Sequence, residues 1–228
     1  MTTSQLNPLP DGRPSILVPL GSTEQHGPHL PLDTDTQIAV AVAVAVAGQL
    51  TGWLVAPALA YGASGEHQDF AGTISLGTEA LVVLIVEYGR SAACWADRIV
   101  FVNGHGGNVE ALRRAVGTLR HEGRDIGWAP CLSVGADAHA GHTETSVMLH
   151  LSPSDVHTDR WLPGNEAPLR ELLPQLLRGG VAAVSSVGVL GNPTTATAAH
   201  GELILAEMTG GCLGRIRRWV PGADGMLA

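Results

Sequence analysis

Short unbroken apolar runs alternate along the chain with longer stretches of helical period, and most of the runs end in loops rich in glycine and polar residues. Ser15–Leu20 (SILVPL), Trp53–Ala56, Arg98–Asn103 (RIVFVN), Ile126–Ser133 and Val181–Val189 read as strands. Continuous apolar character, rather than alternation, predicts strands covered on both faces. Thr36–Leu50, Thr78–Ala96, Asn108–Glu122, Thr143–Leu151, Glu166–Arg178 and Thr195–Val220 read as helices, with Thr78 and Asn108 as N-caps. The Ala/Val alternation of Thr36–Leu50 also suits a strand, but fifteen residues are long for one and alanine favours helix. Strand, helix, strand, helix at this spacing predicts an α/β chain: a parallel sheet with helices on both faces. No repeat or linker divides it, so residues 1–228 are expected to form one domain.

Composition narrows the picture. Five Trp, two Tyr and two Phe leave the core to Ala, Val and Leu, which favours close helix-on-sheet packing. Thirteen basic against 21 acidic residues give a formal charge of −8, and no Lys/Arg block interrupts it. A phosphate-binding groove, and with it a nucleic-acid partner, is not expected. Arg215, Arg217 and Arg218 suit the last turn of a helix, where cations meet the carbonyl end of the dipole. Cys94, Cys131 and Cys212 are odd in number and lack CxxC spacing, so buried free thiols in a reducing cytoplasm are expected. Met1–Pro10 has neither the basic nor the apolar region of a signal peptide, and Ile38–Gly48 is too short to cross a bilayer. The expected location is the cytoplasm, without a membrane partner.

Polar residues collect just after the predicted strands, where open parallel sheets bind ligands. In Gly21–Asp35 (GSTEQHGPHLPLDTD), Glu24 and His26 stand two apart, so an extended segment points both to one side. Asp35 follows at a helix entrance, where it could equally be an N-cap; His29 and Asp33 read as lying behind the site or at the surface. After RIVFVN comes NGHGGN, whose glycines leave His105 as its bulky side chain. A phosphate nest there would lack both GxGxxG spacing and a P-loop lysine. In HAGHTETS, Glu144 opens a predicted helix beside His139 and His142. Imidazole and carboxylate without thiolate suit Zn²⁺, Fe²⁺ or Mn²⁺ rather than Ca²⁺. Two histidines and three acids exceed the needs of one catalytic ion and fit two, roughly 3.5–4 Å apart.

GSTEQHGPHLPLDTDT, GEHQDFAGTISL, NGHGGN, HAGHTETSVML and GVLGNPTTATAAHGE run from residue 21 to about residue 202, and together they resemble the creatininase family of amidohydrolases. The resemblance implies a three-layer α/β/α sandwich around a mostly parallel sheet, a homo-oligomer such as a hexamer, and two divalent metal ions per chain. It implies Glu24, Asp35 and His105 as ligands of one ion, and His26, Asp35 and Glu144 as ligands of the other. Asp35 would bridge the two, and His139 would stay off the metals as the catalytic proton carrier. Glu66, His67 and His142 are expected behind the ligands or against the substrate. The implied chemistry is hydrolysis of a C–N amide bond by an activated water, with His139 passing a proton to the leaving amine.

The chain also departs from creatinine-hydrolysing members. Gly106 and Gly107 stand where those carry Tyr and Glu, and Gly135 and Ala136 stand where they carry Trp and Asp. A roomier, less polar pocket is expected, with Glu66 or His142 partly replacing the acid missing at Gly107. The short chain, HAGHTETS and the GVLGNPTTATAAHGE tail resemble members that cut the modified C-terminal core from a ribosomal precursor peptide. Such a peptide is the expected substrate. The alternative is a small cyclic amide or formamide on the same metals.

Overall fold

The computed structural model describes residue 6 and residues 12–228, so the reading made on Met1–Pro10 falls almost wholly outside it. Among the described residues four strands, β1 Ser15–Leu20, β2 Trp53–Val55, β3 Ile99–Asn103 and β4 Ile126–Pro130, form one sheet in the order β2-β1-β3-β4. Every pairing is parallel, with Ile16 opposite Ile99 and Ile99 opposite Ile126.

Within residues 12–228 six helices of ten or more residues follow in chain order: α1 Thr34–Ala47, α2 Gly77–Ala92, α3 Val109–His121, α4 His142–Leu151, α5 Leu169–Gly179 and α6 Ala198–Arg218. Successive side chains of a strand face opposite ways, and the two cores sort accordingly. Ile16, Val18, Leu20, Ile99 and Phe101 pack on Leu81 and Ile85 of α2 and Leu112 and Val116 of α3. Leu17, Val100 and Val102 pack on Ile38 and Val42 of α1, Val147 and Met148 of α4, and Ile204 and Met208 of α6. The three layers are therefore α/β/α. No helix of the described residues is long and apolar enough to cross a membrane.

Several boundaries differ from those expected. Val181–Val189 is no strand: it opens with a 3-10 turn, Val181–Ala183, and then runs irregularly to Gly188 at φ +78°. Val181 packs instead with Leu172 and Leu190 in a small separate cluster, so local packing overrides the strand propensity. The helix expected from Glu166 begins at Leu169, because Pro168 disfavours helical backbone at the residue before it. α6 begins at Ala198, where Thr197 accepts the His200 N–H at 3.2 Å.

Thr78 lies inside α2. The first backbone N–H of that helix is met by Ser75 Oγ, 3.1 Å away. Asn108 makes no cap bond to α3. Its Oδ1 accepts from Ala63 N–H at 2.9 Å and its Nδ2 donates to the Gly21 carbonyl at 3.0 Å, tying together two loops beside the site. Of the thiols expected to be buried, Cys212 is buried and Cys131 half-buried, but Cys94 is exposed just beyond α2.

Candidate metal centre

Three loops at the carboxyl ends of β1, β3 and β4 carry the ligand-type residues. After β1 the chain stays extended, and Glu24 and His26 are both fully buried on one side of it. Glu24 N–H donates to the Leu32 carbonyl at 2.9 Å, closing the loop so that Asp35 enters α1 beside them. A β-carbon on Gly104 would strike the Asp35 carbonyl, so only glycine lets β3 deliver His105 so close to α1. His139 is fixed by the 132–141 loop, whose backbone exchanges hydrogen bonds with Leu190 at 2.8 and 3.2 Å. Glu144, in the first turn of α4, accepts from Ala140 N–H at 2.6 Å.

Glu24, Asp35 and His105 each bring an atom within 4.8 Å of the other two, and His26, His139 and Glu144 do the same. Asp35 spans the groups: Oδ1 lies 3.1 Å from His26 Nε2 and Oδ2 lies 3.3 Å from His105 Nδ1. Both oxygens of Glu24 and Oδ2 of Asp35 are buried without a hydrogen bond. Buried carboxylate oxygens are normally hydrogen-bonded or bound to a cation. Glu24 Oε2 and Asp35 Oδ2 both face His105 Nδ1, at 3.1 and 3.3 Å, without completing a hydrogen bond, and a divalent ion would satisfy them.

The ring tautomers agree. His26 Nδ1 lies 3.1 Å from the Glu24 backbone carbonyl and His105 Nε2 lies 3.2 Å from the Ala63 carbonyl. A carbonyl can only accept, so the proton sits on those nitrogens and the other nitrogen of each ring faces the acids. Outward donation of this kind typically orients metal-bound histidines.

Counting the protein groups alone, the site is short of positive charge. Burial disfavours the His26 imidazolium, yet Asp35, then Glu144 and Glu24, outweigh it and hold its pKa at about 10. His105 is likewise raised, burial being overcome by Glu24 and Asp35. Burial pushes Glu144 up to about 7 and also raises Glu24, where Asp35 adds to the effect. His139 is held well below the usual histidine range by burial and then by His26 and His67, so its ring is neutral at pH 7.

The remaining expected residues separate. His67 is buried with Nε2 3.3 Å from Glu24 Oε1, and Glu66 is half-buried with Oε1 3.6 Å from His105 Nε2. Both line the cleft over the ligands. His142 does not: it pairs at the surface with His200 and with Thr195 Oγ1, the latter at 2.8 Å, and lines an adjoining groove. His29 is buried against Thr145 Oγ1 at 2.9 Å, while Asp33 is exposed and accepts from Gln37.

Two features went unread in the sequence. One is Gln25, whose amide joins three segments beneath the site. The other is an apolar wall of Leu169, Leu173, Leu176 and Leu177 on α5, lining with the candidate ligands Asp35, His105 and Glu144 a cleft of about 530 Å³. The leucine spacing of α5 was visible as helical period, but nothing in it told core from cleft.

The family described as "Creatininase: Creatinine amidohydrolase" matches residues 1–216. The chain belongs to the creatininase family. A creatininase-family relative from Mycobacterium ulcerans (strain Agy99), "Mycofactocin precursor peptide peptidase", is 70% identical across 99% of this chain and 93% of its own length. The "Creatinine amidohydrolase" of Pseudomonas putida is 32% identical, covering 90% of each chain. Among solved creatininase structures, "Creatininase Mn" is 30% identical with a TM-score of 0.77 and 93% of both chains covered.

One expectation about the creatininase-type pocket is corrected. Gly107 does not open it. A β-carbon there would overlap the Ala63 carbonyl and His105 Nε2, and it would lie 2.7 Å from Glu66 Oε1. The space of the missing side chain is filled by Glu66.

Proposed function

We propose that this protein is a metal-dependent peptidase that cuts the modified C-terminal core from the mycofactocin precursor peptide. One observation carries the reading: near-full-length 70% identity to a mycofactocin precursor peptide peptidase, set against 32% to a creatinine amidohydrolase. The cleft supports it. Four leucines of α5, with Val181 and Leu190, give the site one long apolar wall, suited to peptide side chains and poorly suited to a small polar ring.

In this reading Glu24, Asp35 and His105 hold one divalent ion, and His26, Asp35 and Glu144 hold the other. Bound Zn²⁺, Fe²⁺ or Mn²⁺ would supply Lewis acidity toward the amide carbonyl and make water a nucleophile near neutral pH. The chain's own residues handle the rest. His139 Nε2 donates to the Gln25 carbonyl at 2.8 Å, leaving Nδ1 bare beside the cluster, 3.7 Å from Glu24 Oε1. A neutral ring in that tautomer first accepts a proton from the attacking water and then returns it to the leaving amine. Glu66 provides, from another segment, the cleft carboxylate that Gly107 cannot. The α5 wall orients the substrate and keeps bulk water from the scissile bond. Oligomerisation and a cytoplasmic location complete the reading; the three free cysteines support the latter.

Mass spectrometry of metal-reconstituted protein, incubated with the tailored precursor peptide or with creatinine, tests the proposal. Release of a short C-terminal product, with creatinine untouched, is expected. Rapid creatinine turnover with intact peptide would overturn the peptidase reading and favour the small cyclic amide.

A further inference from the structure

The Gln25 side chain can be oriented without ambiguity. Its Oε1 accepts from the Gly27 backbone N–H at 2.8 Å and its Nε2 donates to the Gly188 carbonyl at 3.1 Å. Neither backbone partner can exchange roles, so the amide cannot be flipped. The fit is close. A β-carbon on Gly188, which sits at φ +78°, would collide with this amide.

Two further contacts of Nε2 follow from that orientation. His67 Nδ1 lies 2.8 Å away and can only be an acceptor there, since Gln25 Nε2 has only protons to offer. His139 Nε2 lies 3.2 Å from the same amide nitrogen, but its own proton goes to the Gln25 backbone carbonyl at 2.8 Å. That contact is therefore two donors side by side. The two N–H groups of Gln25 are spent on Gly188 and His67.

A neutral imidazole carries one proton, so with Nδ1 bare His67 must carry it on Nε2. That nitrogen stands 3.3 Å from Glu24 Oε1, a buried oxygen with which it completes no hydrogen bond. Glu24, His67 and His139 also approach one another closely enough to hold an ion. A protonated nitrogen cannot ligate, which removes that third grouping.

We propose that Gln25 is a positioning residue: its amide fixes the proton of His67 on Nε2, so that His67 turns a non-ligating nitrogen toward Glu24 and is kept off the metal. Glu24 then keeps Oε2, 3.1 Å from His105 Nδ1, for the ion it shares with Asp35 and His105. The inference rests on the dinuclear reading above only for its functional consequence. The tautomer itself follows from the hydrogen bonds.

Solid-state NMR of zinc-reconstituted protein labelled with ¹⁵N-histidine distinguishes protonated, bare and metal-bound ring nitrogens. His67 is assigned by the signals lost in His67→Asn. We expect bare Nδ1 and protonated Nε2 for His67, unchanged on adding zinc. A metal-bound nitrogen on His67, or a proton on Nδ1, would overturn the proposal. Gln25→Glu keeps the acceptor for Gly27 but offers no proton to His67, so a proton should appear on Nδ1. Zinc affinity or kcat should fall about 10–100-fold, the usual effect of losing a partner behind the ligands, with KM little changed. An unaltered His67 spectrum in Gln25→Glu would sink the idea even if activity fell. The wild-type spectrum decides the tautomer should that variant not fold. Zinc content of the same samples separates this proposal from the metal reading: protein that takes up no zinc refutes the metals and leaves the tautomer still measured.

Discussion

Glu66 and Gly107 share one space: the carboxylate of the first lies 2.7 Å from where a β-carbon of the second would stand. Two variants should therefore behave differently. Gly107→Ala forces its methyl against the Ala63 carbonyl and the His105 ring, and overpacking of this kind costs about 1–3 kcal/mol. It should lower both thermal stability and metal content, because it disturbs the bond that orients His105. Glu66→Gln keeps the shape and should retain metal while lowering kcat. Calorimetry with metal analysis checks the pair, and a Gly107→Ala protein of normal stability and metal content would contradict the geometry.

Asp35 offers one oxygen to each side of the cluster. Asp35→Ala should lose more metal than removal of any other ligand, and chelation of the wild type should abolish turnover. Full metal occupancy in Asp35→Ala, measured by plasma mass spectrometry, would refute the bridging role.

His139 lies close enough to His26 and Glu144 to be mistaken for a ligand. Acting on protons, it should keep its metal when changed to alanine and lose about 10²–10⁴-fold in rate. Parallel loss of metal and activity would make it a ligand instead.

His29 carries an acid sensitivity that can be isolated. Burial, with a contribution from His26, holds its pKa at about 4 against the ordinary 6.5. Below 6.5 the unfolded chain takes up a proton that the folded chain refuses, so stability drains away as pH falls from about 6.5 to about 4. For one such group the loss amounts to at most about 3 kcal/mol. His29→Gln can keep the bond to Thr145 without titrating. Urea unfolding at pH 7.5 and 4.5 should show the smaller loss in the variant; equal losses would exclude this account.

Assembly is expected from the surface. Val44, Val83 and Leu203, on three different helices, are 54%, 63% and 67% exposed. Light scattering should find at least four chains together, and a clean monomer at micromolar concentration would count against it.

The sheet was legible because β1 and β3 are apolar without interruption, the mark of a strand covered twice. The ligand loops were legible because histidines and acids cluster among glycines just after those strands. Val181–Val189 was misread because an apolar run looks the same whether it joins a sheet or folds against a neighbouring helix. Asn108 was misread for a similar reason. Its side chain competes for a helix N-terminus or for a distant loop, and only the fold brings Ala63 and Gly21 within reach. Gln25 gave no sign, since an amide between two ligands has no chemistry of its own until its partners are known.

The candidate metal ligands all lie between positions 24 and 144, whereas most of the apolar wall comes from positions 169–190. Much of the apolar surface offered to a substrate is thus encoded apart from the candidate ligands. Inheritance can revise the later stretch, lengthening α5 or exchanging its leucines, without touching a ligand. A lineage built this way can reshape one side of its cleft while its candidate ligands stay in place.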